Sequence, residues 1–261
     1  MSMKIVVLVK YVPDATGDRC FTEDMTTDRE AVDGLLSELD EYAVEQALRM
    51  SEAHGDAEVT VVTMGPEDAR DALRKALSMG ADRAVHIDDE DIRGTDALGT
   101  SAVLAAAVER AGFDLLVCGM ASTDGGMGVV PALVAERLGL PQATLLSEVS
   151  VTDGLVSGLR DGDSATERLE TRLPALVSVT DRSGEARYPS FKGITAAKKK
   201  PVETLDLDDL GIDAGTVGPV GSRTAVETVT ARPPRTAGTV VKNDGDGGKR
   251  LAEFLASQKF V

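Results

Sequence analysis

Five short apolar runs rich in β-branched residues, most of them separated by stretches of helical period, constrain this chain more than any other feature. They are 4–9 (KIVVLV), 58–63 (EVTVVT), 84–87 (AVHI), 114–118 (DLLVC) and 175–179 (ALVSV). A run that is apolar at nearly every position, and not at every second one, suits a strand buried on both faces of a parallel sheet. Between the runs the period changes. Ala69, Ala72, Leu73, Ala76 and Leu77 follow i, i+3, i+4, i+7, i+8. Leu39, Ala43, Ala47 and Met50 form a stripe in an earlier helix that Asp40 or Ser37 is placed to cap. Val130, Leu133, Val134 and Leu138 repeat the pattern after the fourth run. Strand–helix alternation of this kind builds right-handed βαβ units, so the predicted fold is α/β with a doubly wound, mostly parallel sheet.

The texture changes near residue 144. Thr144–Thr152, a turn at Asp153-Gly154, Leu155–Leu159 and Ala165–Leu173 read as antiparallel strands. Beyond Thr180 comes a basic segment with few apolar residues, RYPSFKGITAAKKKP. Residues 203–243 are rich in Gly, Pro, Asp and Thr with weak periodicity, as expected of a linker or wrapping arm. A last amphipathic helix, GKRLAEFLASQKF, carries Leu251, Phe254 and Leu255 on one face. There is no internal repeat. An extended tail ending in a helix needs a surface to dock on, its own body or a partner.

Composition narrows the function classes. Across 261 residues, 28 basic side chains against 44 acidic ones leave a formal charge of −16, a surface that repels phosphate backbones and disfavours a nucleic-acid partner. Cys20 and Cys118 are the only cysteines, too few for a disulfide scaffold or a thiolate zinc site. No apolar run is long enough for a membrane span or a signal peptide core, and the expected location is the cytoplasm.

In a doubly wound sheet, ligands bind outside the carboxyl ends of the strands. Four stretches are expected there: Leu8-Val9-Lys10, Ser37 to Asp40, Met64-Gly65-Pro66, and Gly119 to Val130. The last, within CGMASTDGGMGVVPALVAERLGLP, is the most informative. Gly119, Gly125, Gly126 and Gly128 permit close backbone approach, and the chain then enters a helix whose free N–H groups suit a phosphate. It is neither a dinucleotide fingerprint after the first strand nor a Walker A loop, which weighs against a dehydrogenase or a P-loop NTPase. An unliganded glycine loop is the plain alternative. Catalytic sets are thin. His54 follows a helix and His86 sits at a strand edge, each a lone histidine, Cys118 ends a buried strand, and Asp88-Asp89-Glu90 read as a solvated loop. The residues describe a nucleotide binder without catalytic residues or a metal site of its own. Lys198, Lys199 and Lys200 form a basic run in an acidic chain, either a solvated cluster or, with Phe191, a docking spot.

Five phrases taken together resemble one family, the electron transfer flavoprotein β subunits, over nearly the whole chain. They are KIVVLVKYVPD, LDEYAVEQALR, TMGPEDARDALRKALSMGADRAVHI, the glycine loop quoted above, and RYPSFKGITAAKKKP followed by the C-terminal arm. The resemblance implies a Rossmann-like, adenine-nucleotide-binding domain over residues 1–230, with a recognition loop at about 187–200. It also implies an arm over 231–261 that docks on a larger α subunit. By the same resemblance that α subunit is expected to hold most of the redox FAD, and the heterodimer to take electrons from acyl-CoA and related dehydrogenases and pass them to a membrane quinone oxidoreductase.

Carried over position by position, the family's AMP contacts fall on Leu8, on Ser37, Glu38, Leu39 and Asp40, on Met64, and on the glycine loop. In that loop they are Gly119, Met120, Ala121, Ser122, Thr123, Asp124, Gly125, Gly126, Met127, Gly128, Val129 and Val130. ADP, or a second FAD as in electron-bifurcating relatives, are alternatives to AMP. Phe191 takes the place of the family's apolar anchor for dehydrogenases, with Lys198, Lys199 and Lys200 beside it. Two departures stand out: Ser37-Glu38-Leu39-Asp40 replaces an Asn-Pro start of the first helix, and Gly125 to Val130 lacks the amide and hydroxyl side chains common in relatives. A stand-alone adenine-nucleotide enzyme, with Lys10 as its one well-placed base, and a nucleotide-sensing stress protein remain as other classes. Neither explains the region from Arg187 to Val261.

Overall fold

The computed structural model describes residues 2–230, 233, 234, 238 and 240–260. In chain order the strands begin with β1 (Met3–Leu8), then β2 (Tyr11–Pro13) and β3 (Gly34–Leu36), a small antiparallel pair. Helix α1 (Glu38–His54), β4 (Ala57–Met64), α2 (Arg70–Met79), β5 (Arg83–Ile87), α3 (Ala97–Ala111), β6 (Leu115–Gly119) and α4 (Val130–Arg137) follow. Then come β7 (Gln142–Thr152), β8 (Leu155–Asp161), β9 (Thr166–Arg172), β10 (Ala175–Val179), α5 (Phe191–Ala197) and β11 (Val202–Leu205). A four-residue helix α6 (Gly218–Gly221) and α7 (Gly247–Ser257) complete the series.

Among the described residues the main sheet has nine strands in the order β11-β5-β4-β1-β6-β10-β7-β8-β9. Pairing is parallel from β11 through β7 and antiparallel in the β7-β8-β9 meander. Both faces of the parallel part are buried, which is why its strands are almost continuously apolar. Along β1, Ile5 and Val7 face one helical layer with Ala43, Ala47 and Leu73, while Val6 and Leu8 face the other with Val103, Leu104 and Val134. All five strands expected from the apolar runs form, within about a residue of their expected ends, as does the meander with its Asp153-Gly154 turn.

Three expectations are corrected. Ser37 occupies the N-cap position of α1, but neither it nor Asp40 caps with its side chain. Among the described residues Ser37 Oγ has no partner, and Asp40 turns to the strands instead. His86 lies wholly buried in β5, not at a strand edge. Residues 203–224 are not a free linker. They supply β11, bury Leu205, Leu207 and Val217, and hydrogen-bond back to the body through Gly218 N–H to Thr95 Oγ1 (2.7 Å) and Arg223 N–H to Asp96 Oδ2 (2.8 Å). Periodicity is weak there because burial rests on isolated apolar residues among Gly and Asp turns.

The chain divides into two compact units, residues 1–227 and 228–261. The second contains α7, on which Leu251, Phe254 and Leu255 share one face by their spacing. Residues 231, 232, 235–237, 239 and 261 of the expected arm lie outside the described residues.

Candidate functional site

Strand order reverses between β1 and β6. From β1 the chain winds outward through β4 and β5, and it resumes on the other side with β6. Loops leaving the carboxyl ends of two such strands must diverge, which opens a crevice. Leu8 ends β1, Met64 ends β4, Gly119 ends β6, and Ser37 to Asp40 begin α1 behind them. The structure therefore brings the four predicted stretches to one edge of the sheet.

Asp40 staples this edge together. Its Oδ2 accepts the Lys10 N–H (2.9 Å), Lys10 C=O accepts the Ser37 N–H (2.9 Å), and the Gly119 N–H also bonds the Asp40 carboxylate. Burial pushes the Asp40 carboxyl up to about 7, against these N–H bonds and the Lys10 charge, which favour ionisation. A Cβ on Gly119 would overlap both Asp40 Oδ1 and the Leu39 carbonyl, so close approach of β6 to α1 requires the glycine.

Residues 120–129 make the second half of the edge. Asp124 is tucked inward, its side chain only 3% exposed, and accepts Lys10 Nζ at Oδ1 (2.9 Å) and Arg29 Nη2 at Oδ2 (3.1 Å). Burial opposes its charge, but the Lys10 and Arg29 cations and the Lys10 and Ser122 hydrogen bonds prevail and hold the carboxyl well below the usual carboxylate range. Arg19 adds a bond from Nη1 to the Thr123 carbonyl. One wall of the loop is thus pinned to the β2–β3 excursion, a contact the sequence reading did not anticipate. Beyond it Gly125, Gly126, Met127 and Gly128 are exposed, and Gly126 and Gly128 take φ of +66° and +65°, a region that side-chain-bearing residues rarely adopt. Helix α4 then starts with Val129 at its N-cap and Pro131 in its first turn, with no side-chain cap on its free N–H groups.

Two buried hydroxyls at this edge, Ser37 Oγ and Thr63 Oγ1, have no hydrogen-bond partner among the described residues. A buried polar atom left unpaired costs stability, and an incoming ligand group can satisfy it. With the uncapped amides of α4 and apolar Leu8 and Met64, this donor set fits an anionic group joined to a flat apolar one. Thr63 escaped the sequence reading because a threonine inside a strand run carries no signal of being unpaired.

His86 braces the Gly65-Pro66 turn. Its Nε2 faces the carbonyls of Gly65 (2.9 Å) and Pro66 (3.2 Å), and Nδ1 accepts from Arg70 Nε (3.4 Å). Glu67 and Asp88 lie close to it, but both imidazole nitrogens are already engaged. Cys118 is buried among apolar side chains, which pushes its thiol up.

A separate feature lies along α1 and α2. The segment after β10 crosses these helices and carries Phe191 and Tyr188, 87% and 93% exposed. Lys198 and Lys199 are exposed as well. Lys200 is not part of that surface. Its Nζ turns inward and donates to the carbonyls of Leu77 (3.0 Å), Gly80 (3.1 Å) and Ala81 at the end of α2. The carbonyl-rich C-terminus of a helix is a favourable place for an ammonium, and burial lowers the Lys200 pKa.

Fold and edge together define a doubly wound α/β protein with an amide-rich loop at its switch point. A family model described as the electron transfer flavoprotein domain matches residues 24–210. The chain is similar to the electron transfer flavoprotein subunit beta of Mycobacterium tuberculosis, 45% identical over 98% of this chain and 99% of that one. It is likewise similar to those of Mycobacterium leprae (46%, over 98% and 99%) and Bacillus subtilis (34%, over 99% and 100%). The chain belongs to the electron transfer flavoprotein family, among its β subunits, and is an electron-transport protein. No helix of the described residues is long and apolar enough to cross a membrane.

Proposed function

We propose that this chain is one half of a heterodimeric electron carrier, pairing with an α subunit that holds most of the FAD. It binds a structural AMP at the β1/β6 edge. The observation that carries the nucleotide reading is the pair of buried hydroxyls without partners among the described residues, Ser37 Oγ and Thr63 Oγ1, at the same sheet edge as the uncapped amides before and within α4. Leu8 and Met64 offer an apolar surface for adenine, and the N–H groups of Met127 to Val130, beyond the internally bonded N–H groups of Gly125 and Gly126, offer donors to one phosphate. Lys10 and Arg29 are both spent on Asp124, so main-chain donors carry most of the phosphate's charge. Losing the amide and hydroxyl side chains of relatives is tolerable in such a loop.

FAD, when bound, supplies the centre that accepts and returns electrons. This chain's residues bind, orient and dock. Phe191, with Lys198 and Lys199, meets acyl-CoA and related dehydrogenases, residues 231–261 form the arm that reaches the α subunit, and electrons leave to a membrane quinone oxidoreductase. The location proposed is the cytoplasm.

The test is co-purification with the α subunit, acid release of bound ligands and identification by mass. One FAD and one AMP per heterodimer is the expected result. ADP would change only the ligand, two FAD would move the protein to the bifurcating type, and a chain that purifies alone without flavin or nucleotide would overturn the proposal.

A further inference from the structure

The segment that carries Phe191 has almost nothing of its own to hold it in shape. Helix α5 spans seven residues, too few to be stable in isolation, and Tyr188, Phe191 and Ile194 point away from any core. Its two ends are tied to the body, and between them α5 packs against α2. At the front, Arg187 makes a fork across α1. Its Nε and Nη2 meet Glu45 (2.6 and 3.2 Å), its Nη1 and Nη2 meet Glu52 (2.5 and 3.1 Å), and its backbone N–H also donates to Glu45 Oε2 (3.1 Å). Glu45 is almost wholly buried and is shared with Arg49 (2.7 Å). Burial works to raise its carboxyl, but the Arg187 and Arg49 hydrogen bonds outweigh that and keep it ionised. At the rear, Lys200 Nζ is sunk into the terminal carbonyls of α2. Between the ends, Ser190 Oγ caps α5 through the Gly193 N–H (3.0 Å), and Gly193 lies so close to the Ser78 carbonyl that a Cβ there would collide.

We infer that Arg187 and Lys200 are positioning residues, fastening the two ends of residues 188–199 to different helices so that Tyr188 and Phe191 are held ready for a partner's apolar pocket. The inference rests on the proposal that this segment docks dehydrogenases. It removes Lys200 from the charges offered to the partner and adds Tyr188 as a second anchor. A planar guanidinium bridging two carboxylates fixes direction as well as distance, which a lysine at 187 cannot do. Ordering two aromatic groups in advance spares the partner that cost on association.

The experiment uses the full chain in its heterodimer. In Arg187→Met, trypsin should cut after Lys192, Lys198 and Lys199 about tenfold faster than in the wild type, with sites elsewhere unchanged, because cleavage follows the population of the opened segment. Unchanged cleavage would overturn the clamp. The KM for the heterodimer as acceptor of an acyl-CoA dehydrogenase should rise about fivefold while kcat stays within about twofold. Arg187→Lys should recover part of the KM but not all of it.

A mutant cycle with Phe191→Ala separates the two readings. If Arg187 acts by aiming this tip, Arg187→Met adds little once Phe191 is gone. A full additive increment in KM would refute the positioning role. If instead Phe191→Ala leaves the KM unchanged, the docking proposal falls, while the trypsin result still decides whether the clamp exists. Because Arg187→Met leaves a buried carboxylate short of a partner and can unfold the chain, Glu52→Gln serves as the second variant. It removes the exposed half of the fork, and about a twofold rise in cleavage is expected.

Discussion

The strand-end crevice and the segment across α1 and α2 are both fixed by charged groups, yet they are finished in opposite ways. At the crevice, Asp40 and Asp124 gather backbone N–H groups and cations inward, leaving hydroxyls unspent and a loop of exposed amides. Along the helices, Arg187 and Lys200 are consumed at the ends, and what is left unspent is aromatic surface. Unsatisfied polar atoms suit a small polar ligand, whereas unsatisfied apolar area suits a macromolecule. The contrast also predicts where substitutions cost stability and where they cost only association.

The largest stability effect should come from Gly119→Ala, whose Cβ would meet the backbone of Leu39 and the Asp40 carboxylate. Neither can retreat without moving α1, so a loss of about 3 kcal/mol or more is expected in urea melts. A loss under about 1 kcal/mol would mean the crevice is looser than its packing implies.

Asp40→Asn comes next, at about 2 kcal/mol, because an amide has one acceptor oxygen for two backbone N–H groups and turns a donor toward one of them. It should also change the pH dependence. With its folded carboxyl raised to about 7, Asp40 favours the folded state fully below its ordinary value of 3.8, and that contribution is lost as pH rises toward 7. The wild type should therefore show a component of stability that declines between about pH 4 and 7, and the variant should lack it. Asp124 and Glu45, held low in the folded state, begin to lose their contributions as pH falls through the ordinary carboxylate range, the opposite direction to Asp40, and they do so in both proteins. Identical slopes in the two proteins would contradict the burial argument.

Asp124→Asn should cost about 1 kcal/mol, since the partners it releases, Lys10 and Arg29, reach solvent. Its clearer consequence is at the ligand: with both cations freed, AMP retention through gel filtration should increase, and a decrease would argue against a phosphate in this loop. Smallest in stability is Phe191→Ala, within about 0.5 kcal/mol, because its side chain is already in water. FAD content should be unchanged while electron transfer from dehydrogenases weakens. Lost FAD would count against a docking role and collapse the contrast between the two regions.

What could be read from the chain beforehand followed distance along it. Runs such as KIVVLV and the Asp153-Gly154 turn are local signals, and they placed the strands closely. The glycine loop was legible because glycine has few other reasons to cluster before a helix. Helix α3 gives only a weak signal although Asp96 caps it through the Gly99 N–H, since its alanine-rich face has little contrast. The pins were hidden for another reason. Lys10 lies 114 residues from Asp124 and Arg187 lies 142 from Glu45, and nothing in a single sequence pairs one charge with another at such separations. In the same way, Lys198, Lys199 and Lys200 look alike in a row, and only the end of α2 distinguishes the third.

The path from β10 to β11 runs from one flank of the sheet to its opposite edge, with β6, β1, β4 and β5 lying between. Contacts so far apart in sequence form late, after the loops they close have become affordable in entropy. The anchors of this strap, Glu45, Glu52 and the Leu77 to Ala81 carbonyls, exist only once α1 and α2 are folded and packed. A chain still assembling has nowhere to tie the strap, so the aromatic tip takes its shape only on a completed body. Maturity of the molecule and readiness of its outward face are, by this routing, the same event.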